Sequence, residues 1–332
     1  MPKKQARSKP AKAKPASRAA ARKTLTTAIR SGKDQAAEVF ANRASKHRHR
    51  AAVVKRHVEA ARKRGGTEAA LAEGLFARNS TGTLVAEGDS WFDYPLNDVL
   101  KNLDDDYGYD VHSVAHKGDA VEIMAYGEGQ LDDFARCLER VLRGGTAPKA
   151  ILLSGGGNDV AGDAFAMLIN HKLSPNPGIN AEILEGVLQQ RVRFAYATIL
   201  SAVTQLCIRY LGRPVPVLVH GYGYPVPDGR GFLGGWGPLP GPWLEPGFRE
   251  KGYDDLAERI AIAVQLIDAF NEMIGQLAGQ PEFAHVHYID LRPLLSNDPA
   301  SYKRWWVNEL HPTARGFEAV TARFADTLAT LP

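Results

Sequence analysis

The feature that most constrains this chain is the regular alternation, from Thr83 onward, of short apolar runs with longer helical stretches. The runs are Leu84-Val85-Ala86, Tyr109 to Ala115, Ala150 to Ser154, Val215 to His220 and Val286 to Leu291. Helical patterns fill the gaps near 131–143, 181–211, 254–279 and 314–330. Short, largely unbroken apolar runs read as strands buried on both faces. Such strands, separated by helices, call for an α/β fold: a parallel sheet covered by helices on both sides, three layers in all. In sheets of this kind ligands bind beyond the carboxyl ends of the strands. The polar and glycine-rich runs follow those ends here, as Gly88-Asp89-Ser90, Lys117-Gly118-Asp119 and Gly155-Gly156-Gly157-Asn158-Asp159.

Charge divides the chain before the first strand. Residues 1–65 carry 20 Lys+Arg and 3 Asp+Glu, whereas the remainder carries 21 and 34. Residues 1–25 are built mainly from Lys, Ala, Pro, Arg and Ser, too little apolar bulk to offset ordering entropy, and are expected to be a disordered basic tail. Residues 26–66 favour helix until Gly65-Gly66 stops it, which predicts a basic helical arm. The folded α/β body is expected over 82–332. Residues 1–64 are suited to electrostatic contact with nucleic acid or an anionic membrane. Phe40 is the arm's single aromatic, so base stacking is poorly supported. No apolar signal region precedes the arm, and no stretch of ~18 unbroken apolar residues predicts a membrane span. The two cysteines, Cys137 and Cys207, fall in helical patterns and read as buried thiols. These features place the chain in the cytoplasm by expectation, with no obligate protein partner.

The loops after the strands carry the groups that acyl-transfer chemistry needs. A hydroxyl requires a base to take its proton and donors aimed at the oxyanion that forms. Ser90 sits on a turn opened by Gly88, just after the first strand. Gly118 follows the second strand and Asn158 the third, while His311-Pro312 precedes the last helix. In order and spacing these four blocks resemble those of the SGNH (GDSL-type) hydrolase family, over roughly residues 82–331. That resemblance implies a flavodoxin-like fold and a serine hydrolase cleaving carboxylic esters through an acyl-enzyme. It makes Ser90 the nucleophile and His311 the general base. It builds the oxyanion hole from the Ser90 and Gly118 backbone N–H groups and the Asn158 amide. It calls for no cofactor and no metal.

One position departs from the family pattern. An Asp is usual three residues before the histidine, and here that place holds Asn308. An amide oxygen can fix the imidazole tautomer but cannot stabilise imidazolium as a carboxylate does. Asn308, Glu309 or a backbone carbonyl could orient His311, with Asn308 favoured. The departure keeps a second reading in view, a weak or inactive hydrolase scaffold whose basic arm binds nucleic acid or a membrane surface. Asp89 reads as a turn acceptor, and Asp93 and Asp159 as turn or supporting residues. His112 and His116 flank the end of the second strand, His116 and His220 could line the cleft, and His285 and His287 read as structural or exposed. His47, His49 and His57 have no metal-ligand context. The segment 221–248 is rich in Gly, Pro and aromatics, which predicts an ordered loop over the site. Trp91, Tyr222, Tyr224, Trp236 and Trp243 are the expected substrate wall, suited to a lipid or aryl ester.

Overall fold

A computed structural model describes residues 46, 48–64, 80–145, 147–235 and 239–331. The chain divides into two units, 1–49 and 50–332. The expected tail 1–25 and the arm as far as residue 45 lie outside the described residues, and residues 46, 48 and 49 of the first unit are helical.

The second unit opens with helix α1, residues 50–64. Val54, Val58 and Ala61 form its buried face, at i, i+4 and i+7 as a helical stripe requires. Arg50 donates to the Asp104 carbonyl at 3.3 Å and pairs with the Asp104 carboxylate.

Five parallel strands form the central sheet: β1 Thr83–Glu87, β2 Asp110–Ser113, β3 Ala150–Leu153, β6 Val217–His220 and β7 Val286–Ile289. Their spatial order is β2-β1-β3-β6-β7. The short strands β4 (Ile169–Asn170) and β5 (Gly178–Ile179) pair separately and antiparallel. Every residue of β1, β3 and β6 is buried, which explains their unbroken apolar runs. The edge strands differ for a physical reason. β2 has half-buried or exposed residues throughout, and β7 buries only Val286 and Ile289. Polar side chains at these edges meet water on one side and leave less surface for mispairing.

Helices α2 (Val99–Asp105), α3 (Val121–Tyr126), α4 (Gln130–Arg143), α5 (Ala181–Leu211), α6 (Glu245–Glu250), α7 (Leu256–Ala278) and α8 (Ala314–Thr330) complete the layers. Within α5, Gly186–Val192 is wound as π-helix. α5 and α7 have the length and hydropathy of membrane spans. Each buries one face in the core, with Tyr196, Ile199 and Val203 on α5 and Leu266, Phe270 and Ile274 on α7, while Ile183, Phe194 and Ile208 of α5 are exposed. α6 begins inside the segment expected to be irregular, because Pro246 occupies a first-turn position where its missing N–H costs nothing.

Chain order sets where a cleft can form. β2 lies on one side of β1 and β3 on the other, so the direction of strand addition reverses between β1 and β3. That reversal opens a crevice at their carboxyl ends. Glu87 pairs with Leu153 in register, so the loops leaving β1 and β3 start side by side.

Candidate active site

Ser90 is presented by a turn that only glycine can open. A Cβ on Gly88 would lie 2.8 Å from both Phe92 Cδ2 and Ser154 Cβ. Asp89 is 2% exposed, and its carboxylate accepts from Trp91 N at 3.0 Å, from Ser154 Oγ at 2.7 Å and from the Tyr222 hydroxyl. It thus ties the serine turn to the loops after β3 and β6, the part of a turn acceptor.

The next loop is fastened to the same turn. His116 N donates to Gly88 O at 2.9 Å, and Lys117 N donates to Asp93 Oδ2 at 3.2 Å. Gly118 follows at φ +92° on a tight turn. Asn158 Nδ2 donates to Asp119 O at 2.9 Å, which joins the loop after β3 to the one after β2. Gly156 makes this approach possible, since a Cβ there would lie 2.4 Å from the Phe270 ring. Asp159 accepts from Val121 N at 2.8 Å at the start of α3, and burial pushes its carboxyl up to about 6.

His311 arrives from the far edge of the sheet. Residues 306–312 form a closed loop, with Trp306 bridged to Pro312 and Val307 N donating to His311 O at 3.0 Å. His311 Nε2 lies 2.8 Å from Ser90 Oγ, and Nδ1 lies 2.9 Å from Asn308 Oδ1. The orientation of the Asn308 amide follows from its other partners. Oδ1 also accepts from Leu310 N at 3.1 Å and His311 N at 2.9 Å, while Nδ2 donates to the Tyr94 hydroxyl at 3.2 Å. Two backbone N–H groups would face an NH₂ if the amide were reversed, so the oxygen is the atom that meets the ring. Nδ1 therefore carries the hydrogen, and the Nε2 lone pair is left for the serine hydroxyl. Tyr94 stacks on the imidazole at 4.4 Å between centroids, and Trp243 meets it edge-on at 5.4 Å. Burial, with no carboxylate beside the ring, depresses His311 to about 3.

Glu309 is turned away from His311. It is fully buried, and its two oxygens accept from Gly229 N at 3.0 Å, Trp243 N at 2.6 Å, Leu244 N at 2.8 Å and Glu245 N at 3.1 Å. Four backbone donors 64 to 80 residues away along the chain converge on one carboxylate, so Glu309 anchors the long loop over the site. In Glu309→Gln an NH₂ would be turned toward backbone N–H groups. We expect this variant to lose about 2–3 kcal/mol of stability, read from urea midpoints; an unchanged midpoint would contradict this.

A cleft of about 530 Å³, counted to its open mouth, lies beside Ser90 and Asn158. Trp91 and Tyr222 line it from buried positions, with Trp91 2% and Tyr222 6% exposed. Trp91 packs against Tyr222, Trp306 and Phe317 and donates to Leu310 O at 3.2 Å. Tyr224 points elsewhere, donating to Asp268 Oδ1 at 2.8 Å, and Trp236 lies outside the described residues. Among the described residues, no other histidine joins Ser90. His220 is fully buried between Trp91 and Phe92, His285 bonds Thr204 Oγ1 at 2.7 Å, and His112 and His116 face Asp110 and Asp119. Tyr94 carries no motif signal beyond lying four residues after Ser90. Among the described residues no cluster of His, Cys, Asp and Glu has the arrangement of a metal site.

Glu87 closes β1 immediately before the serine turn. It is 1% exposed, Oε1 accepts from Gly88 N at 2.9 Å, and Oε2 has no hydrogen-bond partner among the described residues. Burial first, then the nearby Asp119 and Asp133, push its carboxyl up to about 8. From its ordinary value near 4.5 up to about 8, the folded chain holds a proton that the unfolded chain has lost. Stability therefore falls as pH rises across that window, by up to about 1.4 kcal/mol per unit. Glu87→Gln keeps the acceptor for Gly88 N and removes the ionisation. We expect its advantage in urea midpoint over the wild type to grow from pH 5 to pH 8; parallel curves would contradict this.

The sequence profile of the GDSL-like lipase/acylhydrolase family matches residues 71–319. The chain belongs to that family. Membership makes it a hydrolase, and its parallel sheet with helices on both faces is the SGNH hydrolase fold. No curated protein sequence matches this hydrolase. Solved structures similar to it include an alpha/beta hydrolase enzyme from the metagenome of Lake Arreo, Spain, at 13% identity, with TM-score 0.41, covering 76% of this chain and 97% of that one. A GDSL-like lipase from Bacteroides thetaiotaomicron matches at 10% identity and TM-score 0.39, covering 74% and 87%. A catalytic mutant of an acetylxylan esterase from Geobacillus stearothermophilus matches at 11% identity and TM-score 0.39, covering 75% and 94%.

Proposed function

We propose that this hydrolase cleaves carboxylic esters through an acyl-enzyme on Ser90, with His311 as general base and then general acid. The observation that carries this reading is the unbroken hydrogen-bond line from Ser90 Oγ to His311 Nε2, 2.8 Å, and from His311 Nδ1 to Asn308 Oδ1, 2.9 Å. Ser90 Oγ bonds to the ester carbonyl carbon as its proton passes to Nε2. The tetrahedral oxyanion is met by the Ser90 and Gly118 backbone N–H groups and by Asn158. One Asn158 amide hydrogen is used on Asp119 O, which holds the group in place and leaves its second hydrogen for the oxyanion. Collapse breaks the bond to the alcohol, which takes the proton from Nε2. Water then releases the acid by the same route.

Asn308 has a definite share in this scheme. Its oxygen fixes the tautomer that leaves Nε2 basic, while the imidazolium formed in each step lacks a carboxylate beside it. The base is neutral at any pH well above 3. Release of p-nitrophenol from p-nitrophenyl acetate by the wild type, and its absence with Ser90→Ala, tests the proposal. Equal release by the two proteins would refute it.

A further inference from the structure

A buried general base that becomes a cation needs a group to hold its charge. His311 Nδ1 meets the Asn308 amide and Nε2 meets Ser90 Oγ, so among the described residues neither ring nitrogen bonds a carboxylate. The face of the imidazole is covered by an aromatic ring instead. Tyr94 lies against it with 24° between the planes and 4.4 Å between centroids. Other contacts hold the phenol ring in that place. Phe232 meets it at 80° and 5.9 Å, and Phe317 packs at 5.8 Å. Its hydroxyl accepts from Asn308 Nδ2 at 3.2 Å, and its backbone carbonyl accepts from Lys101 Nζ. Burial pushes the phenol above its ordinary value of 10, so the ring is uncharged at neutral pH.

We propose that Tyr94 is a positioning residue whose ring face stands in for the missing carboxylate, holding the imidazolium that forms on His311 in each transition state. This rests on the reading of His311 as the general base for Ser90. The face of an aromatic ring is electron-rich and its edge electron-poor. Against the neutral imidazole the stack contributes mainly dispersion. When Nε2 takes the serine proton, the positive charge spread over the imidazole lies against that face, within the ~6 Å reach of cation–π attraction. The contact therefore strengthens as the transition state forms, which is the condition for lowering a barrier. In a site closed to water it is worth about tenfold in rate. A carboxylate at position 308 would weaken this dependence, because the ring face attracts the cation of an ion pair and repels its anion. The Tyr94 hydroxyl adds a second hold, since it takes Asn308 Nδ2 and keeps the amide oxygen on Nδ1.

The test grades the electron density of the ring at nearly constant shape. Tyr94→Phe, and the same phenylalanine carrying one, two or three ring fluorines, are made with Asn308 in place and again with Asn308→Asp. For each protein kcat/KM on p-nitrophenyl acetate and the urea midpoint are measured. Fluorine draws density from the ring face and adds little volume. With Asn308 in place, kcat/KM should fall with every fluorine, by about 3–10-fold in all, at an unchanged midpoint. With Asn308→Asp the series should flatten to about twofold or less. A level series with Asn308 in place overturns the role of the ring face while Ser90-dependent hydrolysis stands. So does an equally steep series in both backgrounds, or a fall that follows the urea midpoints. Wild-type hydrolysis that is absent, or that survives His311→Ala undiminished, overturns the reading of the base itself and the role of Tyr94 with it.

Discussion

Ser90→Ala is expected to lower kcat/KM for p-nitrophenyl acetate by about 10⁴–10⁶-fold while leaving the urea midpoint within ~0.5 kcal/mol. The two halves follow from different contacts. Ser90 Oγ bonds His311 Nε2, so deletion removes the nucleophile but not a support of the turn. The turn is held by Asp89, through Trp91 N, Ser154 and Tyr222, and those bonds survive. Asp89→Ala should behave in the opposite sense. It would leave Ser154 Oγ and the Tyr222 hydroxyl without their shared acceptor, and stability should fall along with activity. Progress curves and melts of the two variants separate a reacting group from a supporting one.

Asn308→Asp is expected to move the acid limb of the kcat/KM profile upward by about 1–3 pH units, and to raise turnover at pH 8. The wild-type imidazole is depressed to about 3 by burial. Activity should therefore stay nearly level from pH 8 down past pH 5, where an ordinary histidine would already be protonated. A carboxylate 2.9 Å from Nδ1 would favour imidazolium, raising the pKa and stabilising the cation formed in each transition state. The site can accept the change. Leu310 N, His311 N and Nδ1 already point at the retained oxygen, and the Tyr94 hydroxyl can donate to the new one. Asn308→Leu removes every acceptor and should cost about 10³–10⁴-fold in kcat through loss of the tautomer. A wild-type limb near pH 6.5, or no shift in the aspartate variant, would contradict this account of Asn308.

The sheet was legible where strands are buried on both faces. β1, β3 and β6 are unbroken apolar runs because water meets neither side of them. Short helices were not legible. α2 and α3 are 7 and 6 residues long, too few turns for a helical period to stand out. In the site, Gly88, Ser90, Asn158 and His311 could be picked out because each follows a strand end or opens the last helix. Glu309 could not be assigned, since its partners are backbone N–H groups of a loop distant in the chain, and backbone donors have no residue signature. Composition alone places Tyr224 beside Tyr222. Which way each side chain turns depends on Asp89 for one and Asp268 for the other. Asn308 was recognisable as a departure, but only the convergence of two N–H groups on its oxygen fixes which end of the amide meets His311.

The most direct test of the central claim is labelling by a fluorophosphonate probe, followed by intact mass and peptide mapping. The folded wild type should gain one phosphonyl adduct, on Ser90, with Ser90→Ala unlabelled and His311→Ala labelled far more slowly. A folded wild type that takes no label, or a Ser90→Ala variant labelled as fast as the wild type, would contradict it.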